Sequence, residues 1–397
     1  MRDPLTKMRL VVTSHVVHYR YQGQLFAYGP YAREIDLWAD LFGEIAIASP
    51  CQDKKPPGDC RAFTHCNISI ETQRMAGGET LVAKLGLAIS APAMIFSLAR
   101  AMWRADAIHV RCPGNLGLLG VILAPLFSRR LVAKYAAQWN PAVNEPWSAR
   151  LQKYLLRSRW WRGPVTVYGK WPGQPRHVIP FFTSLLTKDQ MSRAQRASLR
   201  LRDGKPLRVL YTGRLSKSKN VDILIRATAQ ARSAGCNIAL AIVGEGPERP
   251  FLESLAGELG LSSCVEFTGG ISFESVLDHL EGSDVLVLTS ETEGWPKSIA
   301  EGMAFGLVCI GSNRGFVPEM LAEGRGLVAD PASLATLTAH LTNVARQPEQ
   351  YVEMRRRAAD WAQKYSIEGL REAIHNLLLE HWDMDAPSAA WRTAETK

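Results

Sequence analysis

Short apolar runs alternate with helical segments along most of this chain, and that alternation restricts its fold more than any other feature. The first run is Leu10–Ser14, and the segment Tyr31–Phe42 carries apolar side chains at the spacing of an amphipathic helix. Short apolar strands that alternate with helices are typical of parallel sheets covered on both faces. The sequence therefore predicts an α/β fold of Rossmann-like, doubly wound parallel sheets. Between the two segments, Tyr19–Pro30 is rich in glycine and tyrosine and is predicted to form a loop.

The alternation occurs twice, which predicts two domains joined once. The first domain is predicted over residues 1–182, and a polar, basic linker with a connecting helix over 183–206. The second domain is predicted over 207–365, followed by a C-terminal helix over 366–383 and a loose tail over 384–397. Ligands of open parallel sheets bind at the carboxyl ends of the strands. We therefore expect the ligand site in a cleft where the two domains face each other.

Charge is divided unevenly along the chain. Of the 397 residues, 46% are hydrophobic, which suits two packed domains and excludes a disordered chain. Residues 1–180 hold 23 Lys and Arg against 11 Asp and Glu, whereas residues 181–397 hold 24 against 27. This imbalance indicates that the first half faces an anionic partner. Nucleic acid, lipid headgroups and a phosphorylated substrate are the candidate partners. A solvated basic surface is the alternative, and no recognised nucleic-acid motif accompanies the charge.

One segment of the first half, residues 147–162, mixes basic side chains with tryptophans. That mixture suits an anionic lipid surface, and the apolar helix around Leu85–Trp103 would add to it. The alternative is a solvated basic helix whose tryptophans lie in the core. The sequence shows neither a long uninterrupted apolar run nor a signal-peptide pattern. We therefore expect a cytoplasmic protein, with peripheral attachment to the inner face of the cell membrane as a hypothesis.

The chain has seven cysteines. An odd number in a long chain disfavours a disulfide framework. Cys51, Cys60, Cys66 and His65 lie close together in the sequence and form a candidate zinc site, but no CxxC pair occurs among them. Ordinary thiols in a reducing compartment are the alternative.

Two predicted strands of the second half end in glycine turns. In the segment Gly213–Asp222, glycine lets the backbone approach a ligand, and Arg214 and Lys219 would add positive charge beside a phosphate at the following helix. The alternative is an exposed basic turn. The second turn contains Gly244 and Gly246 but lacks the complete dinucleotide fingerprint.

The most informative segment is Thr289–Ala304, in which a strand, a Gly/Pro turn and a helix follow one another. Glu293 lies in the turn, and Glu301 lies on the helix eight residues later. Carboxylates accept paired hydrogen bonds from the vicinal hydroxyls of sugars and ribose. The N–H groups from Gly294 to Ser298 suit a diphosphate. The alternative makes Glu293 a helix-terminal charge and Glu301 a solvated side chain.

Together these segments resemble the retaining nucleotide-sugar glycosyltransferases of family four (group 1 type), which have the GT-B fold. The resemblance covers residues 207–330 and is most specific in Glu293-x7-Glu301, within EGWPKSIAEGMAFGLVCIGSNRG. Three shorter motifs support it: Gly213-Arg214-Leu-x3-Lys219, Val243-Gly-x-Gly-Pro247 and Phe267-Thr-Gly269. The first half agrees in the order of its strands and helices.

The resemblance implies that Arg214 and Lys219 hold the donor diphosphate and that Glu293 contacts hydroxyls of the donor sugar. These three residues form the implied catalytic group, and Glu301 would hold the ribose hydroxyls. The other implied donor-binding positions are turn residues: Gly213, Gly244, Gly269, Gly294, Trp295, Pro296, Lys297 and Ser298. No metal and no other cofactor is expected, since the protein's own cations would stabilise the diphosphate.

The chain departs from the family's pattern at two places. Asn220 stands where the family often has glycine, and asparagine tolerates positive φ. The region after the central strand of the first half usually offers a histidine, but here Lys134–Asn140 contains none. The acceptor-side candidates are therefore other residues of the first half: Gly23, Gly29, His109, Arg111 and Gln138, with His15 and His18 as further candidates.

The resemblance implies transfer of a hexose from a nucleoside diphosphate sugar to an acceptor hydroxyl with retention of the anomeric configuration. The setting it implies is bacterial cell-surface glycan, glycolipid or polysaccharide synthesis, with a glycan or lipid-linked acceptor. Nucleic acid is not an expected partner. A non-catalytic sugar-nucleotide-binding protein and a sugar-nucleotide epimerase are the alternatives.

Overall fold

The computed structural model describes residues 3–74, 81–140, 145–184, 186–200, 206–331 and 333–382, without the side chains of residues 81–89. Within them the chain forms two compact units. One contains the residues up to Phe182 and from Leu370 onward, and the other is Thr183–Gly369. The predicted tail over 384–397 and residues 201–205 of the predicted linker lie outside the described residues.

The first unit is built on parallel strands that are buried on both faces. Its strands and helices, in chain order, are β1 Arg9–Thr13, β2 His18–Tyr21, β3 Gln24–Tyr28, α1 Gly29–Ala39, β4 Glu44–Ser49, β5 Cys51–Gln52, β6 Cys60–Ala62, β7 Ile68–Thr72, α2 Leu81–Met102, β8 Ala107–Cys112, α3 Asn115–Phe127, β9 Arg130–Tyr135, α4 Trp147–Arg157, β10 Val165–Val167 and β11 Val178–Pro180. Among the described residues, the main sheet has seven strands in the order β11-β10-β9-β8-β1-β4-β7, all parallel.

The predicted loop over Tyr19–Pro30 is wrong for most of its length. Strands β2 and β3 pair antiparallel across a tight turn at Gln22 and Gly23, which have φ of 50° and 75°. They form the centre of a second, four-stranded sheet with β5 and β6. Positive φ at both central residues is the turn geometry that hairpins favour. The flanking tyrosines and Phe26 are residues that favour strands.

The second unit repeats the architecture. Its elements are α5 Lys188–Ser198, β12 Leu207–Thr212, α6 Val221–Ser233, β13 Ile238–Val243, α7 Arg249–Glu258, β14 Val265–Gly269, α8 Phe273–Gly282, β15 Val285–Leu288, α9 Lys297–Ala304, β16 Val308–Ser312, α10 Val317–Leu321, β17 Leu327–Ala329, α11 Leu334–Arg346, α12 Val352–Ala362 and the start of α13 Ile367–His381. Within the described part, its parallel sheet has six strands in the order β14-β13-β12-β15-β16-β17. The predicted α/β fold with two parallel sheets is therefore confirmed.

The order of the strands positions the predicted site residues. Strands β12 and β15 are hydrogen-bonded neighbours, so the loops that leave their carboxyl ends lie side by side. One of those loops carries Arg214 and Lys219, and the other carries Glu293. In the first unit, β8 and β9 are likewise neighbours, with Arg111 and Lys134 directly paired in register.

Candidate active site

Three glycines of the second unit lie where adjacent loops approach each other. The N–H of Gly213 donates to the carbonyl of Val243 (3.0 Å), and that of Gly244 donates to the carbonyl of Gly269 (3.0 Å). Gly244 has φ of 145°, and a Cβ added to it would lie 1.8 Å from the carbonyl oxygen of Gly213. A larger residue at position 244 would push these two turns apart. The glycines therefore hold the predicted phosphate-facing turns against each other.

Lys219 and Glu293 form an ion pair between the loops that follow β12 and β15. Lys219 Nζ lies 2.5 Å from Glu293 Oε1, and the two side chains are 24% and 13% exposed. The cation and the acid that the sequence predicted to bind different parts of one donor are thus brought together.

Backbone contacts hold the same two loops in place. Asn220 adopts the left-handed conformation, with φ of 48°, and its Nδ2 donates to Glu291 Oε1 (2.8 Å). The Thr289 hydroxyl donates to the carbonyl of Lys219 (2.8 Å), and the N–H of Glu291 donates to the carbonyl of Ser218 (2.9 Å). Asn220 therefore supplies the positive φ expected of it, together with a contact that glycine lacks.

Arg214 lies on the same loop as Lys219 and is exposed. It forms no ion pair with any residue that the structure describes. Its carbonyl accepts a hydrogen bond from the Tyr211 hydroxyl (3.1 Å), which fixes the backbone of the turn. Burial, and then the charge of Glu293, raise the pKa of Tyr211, so this hydroxyl stays protonated and donates. The Arg214 guanidinium is left facing solvent.

The turn from Gly294 to Ser298 is anchored by one aromatic side chain. Trp295 is buried and stacks on Phe316 (ring centroids 5.3 Å apart) and Trp361 (6.0 Å), with Tyr365 edge-on (5.7 Å). The indole is thus a packing group that ties the backbone of this turn to the aromatic side chains around it. Pro296 caps the start of α9, and Lys297 and Ser298 are its first residues.

Glu301 lies on the second turn of α9 and is only 7% exposed. It lines a small cavity of the second unit together with Trp295 and Lys297. The alternative in which Glu301 is a solvated surface side chain is therefore wrong. Its role toward ribose stays a prediction.

Gly315 is absent from the predicted site residues, yet the structure places it against Glu293. Its φ is 59°, and a Cβ added there would lie 1.7 Å from the carbonyl oxygen of Glu293. The available signal was the Asn-Arg-Gly sequence that ends the matching motif, because glycine after such a pair marks a turn. Gly315 thus shapes the loop that carries Glu293.

Two candidate glycines of the first unit have structural roles. Gly23 forms the tip of the β2–β3 hairpin. Gly29 begins α1, and its N–H already donates to the carbonyl of Asp59 (2.9 Å). Gly23 therefore lies in a hairpin turn outside the seven-stranded sheet, and the N–H of Gly29 is already bonded, so these two candidates are corrected.

His109 is also corrected. It lies on β8, is completely buried and stacks on Trp38 with ring centroids 4.4 Å apart. Burial lowers the pKa of His109 to about 3, so the ring is neutral at physiological pH. An acceptor has no access to this side chain. His18 is buried as well, and its Nδ1 hydrogen-bonds the Ser49 hydroxyl (2.6 Å).

Arg111 and Lys134 remain at the carboxyl ends of β8 and β9. Both contact Glu34 Oε1 on α1, from Arg111 Nη1 at 3.1 Å and from Lys134 Nζ at 2.8 Å. Gln138 lies half-buried in the loop that follows β9, and His15 is exposed after β1 with its ring against Gly114. Of the acceptor-side candidates, Arg111 is therefore the one that the structure places in a charged cluster.

The cysteine-rich segment does not form a metal centre in the described part of the chain. Cys51 and Cys60 lie on β5 and β6, at opposite edges of the four-stranded sheet, and His65 pairs with Asp40 (3.2 Å). Among the described residues, no group of three or more potential ligands is placed to hold a metal ion. All seven cysteines are free thiols.

The sequence model of the family described as Glycosyl transferases group 1 matches residues 192–361 of this chain. Alpha-D-kanosaminyltransferase of Streptomyces kanamyceticus is 29% identical over 297 residues, which are 69% of this chain and 77% of that protein. A GDP-mannose-dependent alpha-(1-6)-phosphatidylinositol monomannoside mannosyltransferase of Mycolicibacterium smegmatis is 30% identical over 162 residues, which are 39% of this chain and 42% of that protein.

Solved structures agree over nearly the whole chain. Sucrose-phosphate synthase from Thermosynechococcus elongatus has a TM-score of 0.69 at 21% identity, covering 95% of this chain and all of that chain. Anabaena HepE, solved in complex with UDP and glucose, has a TM-score of 0.69 at 18% identity, covering 94% of this chain and all of that chain. These likenesses show the two-sheet GT-B fold. Residues 192–361 thus match the model of the group 1 glycosyl transferases, and most of the chain is similar in sequence to a glycosyltransferase.

Proposed function

We propose that this chain transfers a hexosyl group from a nucleoside diphosphate sugar to an acceptor hydroxyl, with retention of the anomeric configuration and without a metal ion. The observation that carries the proposal is the contact between Lys219 and Glu293 beside the exposed Arg214. Two cations and a carboxylate at adjacent strand ends match the diphosphate and the hydroxyls of such a donor. The proposal is supported by HepE, which was solved with UDP and glucose, and by the GDP-mannose-dependent relative.

In the proposed complex, Arg214 and Lys219 contact the diphosphate oxygens. The N-terminus of α9 adds N–H donors to the same group, from the backbone of Trp295, Lys297 and Ser298. Glu293 accepts hydrogen bonds from the sugar hydroxyls, and Glu301 accepts them from the ribose. Lys219 then exchanges part of its contact with Glu293 for contact with the phosphate.

The reaction breaks the bond between the anomeric carbon and the diphosphate oxygen and forms a bond from that carbon to the acceptor oxygen. The acceptor proton passes to the departing phosphate oxygen. An oxocarbenium-like transition state places growing negative charge on the diphosphate. Arg214 and Lys219 favour that transition state because their attraction to the diphosphate strengthens as its charge grows.

A donor screen tests the proposal. Thermal unfolding of the full chain with a panel of nucleoside diphosphate sugars identifies the donor, because a ligand that binds the folded state raises the unfolding temperature. NMR of the product then gives the anomeric configuration. Transfer with inversion contradicts the retaining mechanism, and interconversion of the donor sugar without transfer indicates an epimerase. Donor binding with neither transfer nor donor hydrolysis indicates a non-catalytic binding protein.

Metal independence needs its own test. An Asp383-Met384-Asp385 sequence with two carboxylates lies outside the described residues. Turnover that persists in excess EDTA supports the role given to Arg214 and Lys219. Turnover that stops in EDTA and returns with a divalent cation contradicts it.

We further propose that the first unit docks on an anionic membrane, where a lipid-linked acceptor would be held. Helix α3 packs against both α2 and α4, and these helices and the residues that follow them expose large apolar side chains: Phe96, Trp103, Leu126, Trp147, Tyr154 and Trp160. Three exposed arginines lie in the same segment of the sequence as Trp147, Tyr154 and Trp160: Arg150, Arg157 and Arg159. Trp161 is buried. Aromatic side chains among arginines suit a lipid headgroup layer. No helix among the described residues has both the length and the apolar character needed to cross a bilayer.

Co-sedimentation with vesicles tests the docking proposal. The wild-type chain should bind phosphatidylglycerol vesicles at low salt and lose binding as salt is added. Replacing Trp103 and Trp147 by serine should weaken binding, whereas replacing the exposed Phe251 of the second unit should not. Equal sedimentation of all three proteins contradicts the surface assigned here.

A further inference from the structure

The Arg111–Lys134–Glu34 cluster holds more positive charge than its own residues neutralise. Arg111 and Lys134 are paired residues on neighbouring parallel strands, and both contact the same carboxylate oxygen of Glu34. Their side chains are only 14% and 8% exposed, and that of Glu34 is 4% exposed. Among the described residues, neither cation pairs with a second acid. One positive charge is therefore left uncompensated in a largely buried place.

The hydrogen-bond donors of the two cations point to the same conclusion. A guanidinium has five N–H donors and an ammonium has three. In the described structure each side chain uses one of them, toward Glu34. None of the nitrogens of Arg111 or Lys134 is among the fully buried atoms that lack a partner, so the unused donors are open to a ligand, and a charge withdrawn from water without an anion is costly. The unused donors therefore fit an oxygen-rich anion.

The positions of the two cations are fixed by the aromatic rings on which they rest. The Arg111 guanidinium lies 5.2 Å from the centroid of the Tyr31 ring, and Lys134 Nζ lies 5.6 Å from that of Tyr168. Because both cations contact one oxygen, their nitrogens lie no more than about 6 Å apart, where like charges repel. A phosphate group spans such a distance and contacts both.

We infer that Arg111 and Lys134 form an anion-binding subsite of the first unit, and that the acceptor carries a phosphate group which this subsite holds. Glu34 competes with that phosphate for both cations and keeps them in place when it is absent. The reading of the anion as part of the acceptor rests on the proposed glycosyl transfer. The subsite itself is a property of the first unit, whereas the donor residues all lie in the second.

The test is binding of inorganic phosphate to the full chain, measured by calorimetry at constant ionic strength. The titration uses the Lys219→Ala variant and excess nucleoside diphosphate, so that phosphate binding at the proposed donor site does not contribute to the measured heat. Arg111→Gln and Lys134→Met should each weaken phosphate binding about tenfold or more, since each removes a charge-assisted hydrogen bond. Glu34→Gln should strengthen it, since it removes the competing carboxylate. Arg130→Gln, at an exposed residue of the same unit, should change nothing.

Amide hydrogen exchange of the wild-type chain, with and without phosphate, provides a second test that does not depend on whether the variants fold. Phosphate should slow exchange in peptides that cover the ends of β8 and β9. No phosphate binding by the wild type, or weaker binding by a folded Glu34→Gln variant, overturns the inference. A chain that binds its donor but not phosphate refutes the subsite alone, whereas one that binds phosphate but no donor refutes the proposed transfer alone.

Two ligands separate the sources of the phosphate. Glucose 6-phosphate stands for a soluble phosphorylated acceptor, and phosphatidylglycerol vesicles stand for a lipid-linked one. If Lys134→Met weakens the binding of one of these ligands and Arg130→Gln does not, the subsite is supported. The ligand whose binding is weakened then identifies the source of the phosphate. If both ligands bind the Lys134→Met variant as tightly as they bind the wild type, the subsite is refuted.

Discussion

At the scale of single residues, the ion pair of Lys219 and Glu293 is the centre of the proposed donor site. The lysine lies at the end of a turn whose backbone is tied to the neighbouring loop at Ser218, Lys219 and Asn220. In the proposed complex, its ammonium would therefore keep its position when a donor replaces part of its contact with Glu293. A preorganised charge of this kind stabilises a transition state without the cost of reorganisation.

Replacing Lys219 by alanine should lower the rate of transfer by about 10²–10³-fold, the usual effect of removing one group that stabilises developing charge. Lys217, two residues earlier and exposed, is the matched control. Steady-state rates of Lys219→Ala and Lys217→Ala measure the difference. Equal losses in the two variants contradict a specific role for Lys219.

Gly315 offers a second residue-scale prediction, because its α-carbon faces the Glu293 carbonyl. Gly315→Ala should destabilise the chain and weaken donor binding, since the added methyl group has to move the Glu293 loop. Gly235 also has positive φ, but a Cβ there meets nothing within 4 Å. Gly235→Ala should cost only about 1 kcal/mol and leave donor binding unchanged. Urea unfolding and donor titration of both variants check this, and equal donor affinities contradict it.

At the scale of elements, Trp295 joins the turn before α9 to the helices that follow. Its stack on Phe316 and Trp361 links the Glu293-x7-Glu301 segment to α12. Arg325 lies over the face of Trp361 and extends the cluster. The aromatic cluster holds the backbone of the turn that is proposed to bind the donor diphosphate.

Trp295→Ala should reduce the free energy of unfolding by about 3–5 kcal/mol, the usual cost of emptying a buried aromatic site. Phe251→Ala, at a half-exposed phenylalanine on α7, should change it by no more than about 0.5 kcal/mol. Urea unfolding followed by circular dichroism compares the two variants. If Trp295→Ala lowers the free energy of unfolding no more than Phe251→Ala does, Trp295 does not anchor the turn.

Elements of the second unit were the most predictable from the sequence. In the segment Thr289–Ala304, the helix predicted after the Gly/Pro turn is present as α9, Lys297–Ala304. The β2–β3 hairpin was missed because its polar and aromatic residues carry no continuous apolar run. The same limit applies to His109, since a polar residue in a parallel strand does not reveal which neighbours bury it.

The candidate site was predictable only in part. Residues close to a glycine turn in sequence, such as Lys219 and Glu293, could be found because the motif holds them near strand ends. The Arg111–Lys134–Glu34 cluster could not, since it depends on the pairing of β8 with β9 and on the packing of α1. The role of Gly315 likewise depends on a contact between residues distant in sequence, its approach to the carbonyl of Glu293.

At the scale of the whole molecule, buried neutral histidines link stability to pH. Burial lowers the pKa of His109 to about 3 and that of His18 to about 4. The unfolded chain binds these protons near the ordinary histidine pKa of about 6.5, so stability falls as the pH drops below that value. Each histidine contributes a slope of about 1.4 kcal/mol per pH unit between its two pKa values.

Urea unfolding of the wild type and of His109→Phe, measured between pH 7 and pH 5, checks this linkage. The wild type should lose stability over this interval, and the variant should lose less because one of the two histidines is gone. Parallel losses in the two proteins mean that His109 is not held neutral by burial.

We propose that the second unit binds a nucleoside diphosphate sugar through Arg214, Lys219, Glu293 and Glu301. A crystal structure of the full chain with its donor tests that claim most directly. We expect diphosphate oxygens within hydrogen-bond distance of the Arg214 guanidinium and Lys219 Nζ, sugar hydroxyls on Glu293 and ribose hydroxyls on Glu301. A donor bound away from these four side chains would contradict it.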